Sequence, residues 1–156
     1  MTTDPVAAYA AAKSRADAEE ALRHCTDDLL VETVAFQTAV AGKEANRASF
    51  AAFFAVFPDY DAELEATVGK GELRASWGTL RATMRGPIGR IAPTGRRFEL
   101  PFASVWRVND DLIAFERFFF DLHQMCEQLE LDSAAVLTEI RAAAAVLASD
   151  HSAAAA

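Results

Sequence analysis

The hydrophobic periodicity of this chain changes abruptly at Pro58. Before that residue, four phenylalanines follow the spacing i, i+3, i+4, i+7, which places them on one face of a helix: Phe50, Phe53, Phe54 and Phe57. This stripe predicts a helix over Lys43–Phe57, which Pro58 helps to end. After it, segments near 60–69, 72–85, 97–108 and 112–120 alternate with the period typical of strands. Helices followed by several strands indicate an α+β protein.

The N-terminal third predicts two short helices and a strand. Asp4 can accept hydrogen bonds from the free amides of a first helical turn, and Pro5 suits the first helical position. A second helix is expected over about 17–24, because alanine and leucine return to one face at helical spacing. The segment 29–36 reads as a strand. No βαβ alternation occurs, so the sheet should be mainly antiparallel.

The connections and the C-terminal end are marked by turn and cap residues. Asn109, Asp110 and Asp111 predict a hairpin between the last two strands. The loop 86–97 is rich in proline and glycine, which predicts an ordered surface connection that could cross the mouth of a pocket. Asp121 is placed to cap a helix after the last strand, and a further helix should run from Ser133 to about Ala148.

Length and composition indicate one domain and exclude several partner classes. The chain has 156 residues and a net charge of −8, which disfavours nucleic acid and anionic membranes as partners. Charged residues interrupt every apolar run, and the first residues do not resemble a secretory signal, so we expect a cytoplasmic protein. Cys25 and Cys126 lack metal-ligand or redox spacing, and no glycine-rich phosphate loop occurs. No metal or other cofactor is therefore expected.

Three segments carry a resemblance to a known family: FAVFPDYDAEL (54–64), GTLRATMRGPIGRIAPTGRRFELPFASVWRV (78–108) and LIAFERFFFDLHQMCEQLEL (112–131). They resemble the SnoaL-like polyketide cyclase family of the nuclear-transport-factor-two-like superfamily. The resemblance implies a cone-shaped, curved, antiparallel-rich sheet with N-terminal helices on its concave face, over residues 1–131. Residues 132–150 would add a C-terminal helix to the same domain, and 151–156 would form a disordered tail.

The resemblance also exposes departures at positions where the family carries polar groups. The family's catalytic aspartate corresponds to Phe118, and its pocket histidine corresponds to Ser104. A second family histidine corresponds to Met84, and an acidic residue after the first strand corresponds to Thr33. Because a phenyl ring cannot abstract a proton, the aldol-cyclase mechanism does not carry over residue by residue.

Glu116 and Asp121 are the remaining candidates for acid–base catalysis. Strand alternation places Glu116 on the same face as Phe118 and Phe120, and the family register turns that face inward. A carboxylate desolvated among aromatic rings suits proton transfer near neutral pH. The competing interpretation is a salt bridge from Glu116 to an arginine of a neighbouring strand. For Asp121 the competing interpretation is the helix cap.

The candidate pocket is aromatic, with a serine as a hydrogen-bonding group. Its predicted lining is Phe36, Phe53, Phe57, Trp77, Phe102, Ser104, Trp106, Phe118 and Phe120. A helix stripe over a curved sheet leaves space at the open end of the cone. Thr33 and Tyr9 could add hydrogen bonds.

Two functions remain open from the sequence. One is a cofactor-independent cyclase- or isomerase-like enzyme that uses Glu116 as its acid or base on a small hydrophobic organic molecule. The other is a binding or accessory protein that holds such a molecule without converting it. A homodimer is expected through the exposed sheet face, where Phe115 and Phe119 should lie.

Overall fold

The computed structural model describes residues 3–154. Five α-helices occur in this part of the chain: α1 (Pro5–Lys13), α2 (Ala18–Arg23), α3 (Lys43–Val56), α4 (Leu122–Leu129) and α5 (Ser133–Ala154). The six strands are β1 (Cys25–Thr33), β2 (Thr38–Ala41), β3 (Asp61–Lys70), β4 (Leu73–Thr83), β5 (Arg97–Asn109) and β6 (Leu112–Phe120). A 3-10 turn, Val34–Phe36, separates β1 from β2.

The strands form one open, mixed sheet in the order β2-β1-β6-β5-β4-β3. The β1–β6 pair is parallel, and the other neighbouring pairs are antiparallel. Asp110 and Asp111 both adopt positive φ in the turn between β5 and β6, which is the geometry of the predicted hairpin. The α+β prediction, with a mainly antiparallel sheet, is confirmed.

Side-chain alternation gives the sheet a buried concave face and an exposed outer face. Along β5 every second residue is buried, from Phe98 to Val108, as a half-buried strand requires. The pairing register shifts in β1–β6, β3–β4 and β5–β6, and such bulges bend a sheet. At Gly78, a Cβ atom would lie 1.8 Å from the carbonyl oxygen of Glu63. Glycine is therefore required where β3 approaches β4 beside its bulge.

The helices pack on the concave face, and their starts agree with the sequence signals. The Asp4 carboxylate accepts a hydrogen bond from the Val6 amide at 3.1 Å. Asp121 accepts one from the Gln124 amide at 3.0 Å and so caps α4. In α3 the predicted stripe faces inward, with Phe50, Phe54 and Phe57 buried and Phe53 half-buried.

Two boundaries differ from the sequence predictions. The first strand occupies Cys25–Thr33 rather than 29–36, because the chain leaves the extended conformation at Val34 and Gln37 adopts the left-handed conformation. This turn brings the Phe36 ring into the core and starts β2, whose four residues were too short to give a periodic signal. At the other end, α5 continues to Ala154, so residues 151–154 are helical rather than part of a disordered tail. Residues 155 and 156 lie outside the described chain.

No helix in the described residues combines the length and the apolar character needed to span a membrane.

Candidate functional site

A cavity of about 670 Å³ lies between the concave face of the sheet and helices α3 and α5. Its walls are mainly apolar, with aromatic rings from α3, from β6 and from the 3-10 turn. A volume of this size is typical of sites for small organic molecules. A void of only about 10 Å³ adjoins its inner end. Four residues line both spaces: Lys13, Tyr60, Glu116 and Phe118.

Helix α5 and the loop after β4 form the outer wall of the cavity. From α5, one face contributes Ile140, Ala144 and Leu147, and the loop contributes Pro87 and Ile88. The loop therefore contributes to the cavity wall, and its crossing of the pocket mouth stays a prediction.

A side chain of α5 connects this helix to the same loop. The Glu139 carboxylate accepts hydrogen bonds from the Arg90 amide at 3.1 Å and from Arg90 Nε at 2.9 Å. The bonds from the Arg90 side chain and backbone hold the pKa of Glu139 below its ordinary value.

Glu116 is the buried acid at the inner end of the cavity. Its side chain is on the concave face of β6, and the residue is 2% exposed. Each carboxylate oxygen accepts a bond from a hydroxyl: Tyr9 Oη donates to Oε2 at 2.7 Å, and Ser104 Oγ donates to Oε1 at 3.3 Å. Because a carboxylate can accept about four hydrogen bonds, both oxygens retain capacity for a ligand.

Tyr9 is fixed as the hydrogen-bond donor of this pair. Burial, and then the negative charge of Glu116, raise the pKa of Tyr9 well above its ordinary value. Its hydroxyl therefore stays protonated near neutral pH, and it donates to the carboxylate. The Tyr9 ring also packs edge-on against Trp106 at 5.6 Å and Phe50 at 6.1 Å between centroids, so the donor has little freedom to move.

Lys13 brings a positive charge to the same end of the cavity. Its Nζ lies 4.9 Å from the ring centroid of Phe50, 5.0 Å from Tyr9, and 5.8 Å from both Tyr60 and Phe118. These distances are within the range of cation–π attraction. Lys13 Nζ also donates to Tyr9 Oη at 3.5 Å. Lys13, Tyr9 and Glu116 thus form one hydrogen-bonded series.

The predicted pocket residues fall into three groups. The cavity is lined by Phe36, Phe53, Phe57, Phe118 and Phe120. Phe102 and Trp106 line the small inner void instead, and Ser104 contacts Glu116 behind the cavity wall. Trp77 is on the outer face, 42% exposed, and its assignment to the pocket is corrected. In β4 the inward-facing residues are Ser76, Gly78 and Leu80. Trp77 was assigned to the pocket because it is aromatic, but it lies between inward positions and therefore faces outward.

Glu116 and Asp121, the two acid candidates, have different surroundings in the structure. The proposed salt bridge from Glu116 to an arginine is wrong: Arg117 points to the outer face and pairs with Glu32, and Arg81 pairs with Glu63 and Glu99 there. Asp121 caps α4 and does not line the cavity, so its assignment as a catalytic residue is corrected.

Three of the positions where the family pattern has polar groups lie in one row across the sheet. Thr33, Phe118 and Ser104 are paired neighbours on β1, β6 and β5. Met84, the fourth, is fully buried at the end of β4. Glu116 lies two residues from Phe118 on the same face of β6.

Sequence reasoning missed the lysine and the contribution of α5. Tyr9 and Lys13 are four residues apart, which placed them on one face of α1, and this spacing was the available signal for Lys13. In α5, Ile140, Ala144 and Leu147 follow helical spacing, but the alanines between them give a weak hydrophobic pattern. Among the described residues, no cluster of three or more histidine, cysteine, aspartate or glutamate side chains has a geometry that could hold a metal ion.

An open curved sheet covered by helices, with the Glu116 carboxylate buried on its concave face, is typical of a cone-shaped α+β fold. The chain belongs to the SnoaL-like domain family, whose model matches residues 6–116. A search of curated protein sequences gives no match.

Solved structures share this fold. IdmH from Streptomyces antibioticus, a proposed polyketide cyclase, is 26% identical with a TM-score of 0.68, over 82% of this chain and 97% of its own. A Catenulispora acidiphila protein with a ketosteroid isomerase-like fold, in complex with trimethylamine, is 16% identical with a TM-score of 0.75, over 86% and 98%. An epoxide hydrolase of M. tuberculosis is 18% identical with a TM-score of 0.66, over 81% and 86%.

Proposed function

We propose that this protein binds a small hydrophobic organic molecule in the cavity, and that Glu116 exchanges a proton with it. The observation that carries this proposal is the buried carboxylate of Glu116, which lies with Lys13 at the inner end of a mainly apolar space of about 670 Å³. A ligand bound in the cavity would exclude water from this carboxylate.

The two hydroxyl donors give the carboxylate of Glu116 a defined orientation. Tyr9 donates to one of its oxygens and Ser104 donates to the other. The similarity to IdmH supports the same function, because IdmH, at 26% identity, is a proposed polyketide cyclase. A cyclase- or isomerase-like reaction begins with such a proton transfer.

Exchange of carbon-bound hydrogen tests this function without knowledge of the natural substrate. β-Tetralone is a two-ring ketone with acidic hydrogens, and their replacement by deuterium in D2O is measured by NMR. The protein should accelerate the exchange over buffer, and Glu116→Gln should lower the acceleration about a hundredfold, as expected for loss of a general base. Glu99→Gln, on the outer face, is the matched control. Equal exchange by the protein and by Glu116→Gln would contradict the proposal.

The second candidate function is binding without conversion. It is favoured by Phe118, which occupies the position of the family's catalytic aspartate. Herniarin, a methoxycoumarin of two fused rings, serves as a probe of binding alone. Saturable binding of herniarin with no exchange of β-tetralone would support this second candidate against the first.

We also propose that the protein forms a homodimer through the outer face of the sheet. Trp77, Val105 and Phe119 are 42%, 40% and 39% exposed on three neighbouring strands. Trp77 and Phe119 both pair with Ala103, which leaves a continuous apolar strip. Contiguous exposed apolar surface of this kind is typical of interaction sites.

A further inference from the structure

The charge of Lys13 is not balanced by an ion pair. In residues 3–154, no carboxylate oxygen forms a salt bridge with its ammonium group, and Tyr9 Oη at 3.5 Å is its hydrogen-bond partner. That distance exceeds the usual 2.7–3.2 Å, so this bond is weak. An ammonium group has three donors. Lys13 therefore has donor capacity left over at the inner end of the cavity.

The four aromatic rings keep this charge in place. Phe50 comes from α3, Tyr60 from the turn before β3 and Phe118 from β6, and with Tyr9 they surround Nζ at 4.9–5.8 Å. Ring faces stabilise an ammonium by electrostatic attraction but accept no strong hydrogen bond from it. The position of Lys13 in the last turn of α1 adds the favourable end of the helix dipole.

The other charges around the cavity do not offer an alternative cation. Its charged lining residues, within the described chain, are Lys13, Glu116 and Glu139. Glu139 is bound by Arg90 at the opposite, outer wall. A ligand oxygen that approaches the inner end therefore meets Lys13 as the cationic donor, beside the Glu116 carboxylate.

We propose that Lys13 is the oxyanion-binding group of the cavity, and that its ligands carry an enol or phenol group on a flat apolar body. The inference rests on the proposed ligand site and deepens it. The ligand oxygen takes a short hydrogen bond from Nζ in place of the long bond to Tyr9. The apolar body of the ligand lies against Phe53 and Phe118, and Glu116 faces the carbon next to the oxygen-bearing carbon.

Umbelliferone tests the inference because its phenol and phenolate forms absorb at different wavelengths. An apolar cavity alone disfavours the anion and raises the pKa of the bound phenol. A cationic donor has the opposite effect, so the sign of the change distinguishes the two. We expect the pKa of umbelliferone to be about one pH unit lower in the complex than in water, a preference of about tenfold for the anion.

Variants assign the effect to Lys13. Lys13→Met should make the pKa of bound umbelliferone equal to or higher than that of the free compound, and Lys13→Arg should keep it lowered. Arg23→Met is the matched control, because Arg23 also ends a helix with a positive charge but is exposed and outside the cavity. It should behave as the unchanged protein.

Herniarin, the methyl ether of umbelliferone, separates this inference from the cavity proposal. It cannot ionise, so its binding to the unchanged protein tests the cavity without a phenolate. If herniarin binds the unchanged protein but the pKa of bound umbelliferone is raised, the proposed role of Lys13 is wrong. The cavity proposal would then stand. Failure of both coumarins to bind would overturn the ligand site, and the inference with it.

Discussion

Glu116 and Tyr9 form a buried pair that no local sequence pattern predicts, because they are 107 positions apart. The family resemblance, together with parity along β6, placed Glu116 on the inward face, and the residue is buried there. Its partners depended on how α1 crosses the sheet, which is a property of the tertiary structure. The predicted salt bridge between Glu116 and an arginine does not form, because the arginines of the neighbouring strands point to the outer face.

Removal of the Tyr9 hydroxyl should destabilise the protein through Glu116. In Tyr9→Phe the carboxylate loses its 2.7 Å donor while staying buried. Hydrogen bonds to charged groups contribute about 1.5–3 kcal/mol, so we expect a loss of about 2 kcal/mol in the free energy of unfolding in urea. Tyr60→Phe is the control, because this buried tyrosine of the same cavity is not bonded to Glu116, and it should cost less than about 1 kcal/mol. Equal effects would contradict the special role of Tyr9.

At the scale of elements, the turn between α3 and β3 is tied to the end of β4. Asp59 accepts hydrogen bonds from the Thr83 amide and the Thr83 hydroxyl, both at 2.7 Å. Burial raises the pKa of Asp59, but these bonds outweigh it and hold the pKa below its ordinary value. Asp59 is part of the segment FAVFPDYDAEL (54–64), which supported the family resemblance, and it thus has a structural role.

This tie predicts how stability depends on pH. Because the pKa of Asp59 is lower in the folded state, its contribution is fully present above about pH 4 and is lost as the pH falls. The difference in unfolding free energy between the protein and Asp59→Asn should therefore be largest near neutral pH and shrink in acid. Urea titrations between pH 6 and pH 2 measure it, and Thr83→Val should weaken the pH dependence. A difference that stays constant with pH would be inconsistent with this role.

A second prediction at this scale concerns helix α5, whose small residues leave room in the cavity. Ala144 faces the cavity, whereas the adjacent Ala145 is exposed and outside it. Ala144→Trp should fill part of the space and weaken herniarin binding about tenfold, equivalent to about 1.4 kcal/mol. Ala145→Trp should bind normally. If the two variants bind herniarin equally, α5 does not form the cavity wall.

The elements themselves were largely predictable, and the exceptions have physical causes. Strong periodicity in α3, β4, β5 and β6 predicted each of them within a few residues. The missed strand β2 has four residues, too few for a period to show. The C-terminal extent of α5 was underestimated because alanine repeats resemble low complexity, although alanine has the highest helix propensity.

For the whole molecule, the sheet has two faces with different roles. The concave face carries the cavity, and its openness was expected from a helix stripe over a bent sheet. Trp77 shows the limit of that reasoning. An aromatic residue in a strand was assigned to the pocket, but its parity places it on the outer face, where it contributes to the proposed dimer surface.

Charge on the outer face should dissociate the dimer. Val105→Glu introduces a carboxylate beside the apolar strip, where burial against a second copy of the chain would be costly. Sedimentation at micromolar concentration should show a dimer for the unchanged protein and a monomer for this variant. Val146→Glu is the matched control, since Val146 is an exposed valine of α5, 59% exposed and away from the sheet. Dissociation by both variants, or by neither, would contradict the proposed surface.

The central claim is that the interior of the cone stays open as an apolar cavity ending at Glu116. A crystal structure of the protein soaked with herniarin tests it most directly. The account predicts electron density for the coumarin between α3, the sheet and α5, in contact with Phe53 and Phe118 and with an oxygen near Lys13. A crystal structure in which side chains of α3 and α5 fill this space, with Glu116 facing solvent and no ligand inside, would contradict the account.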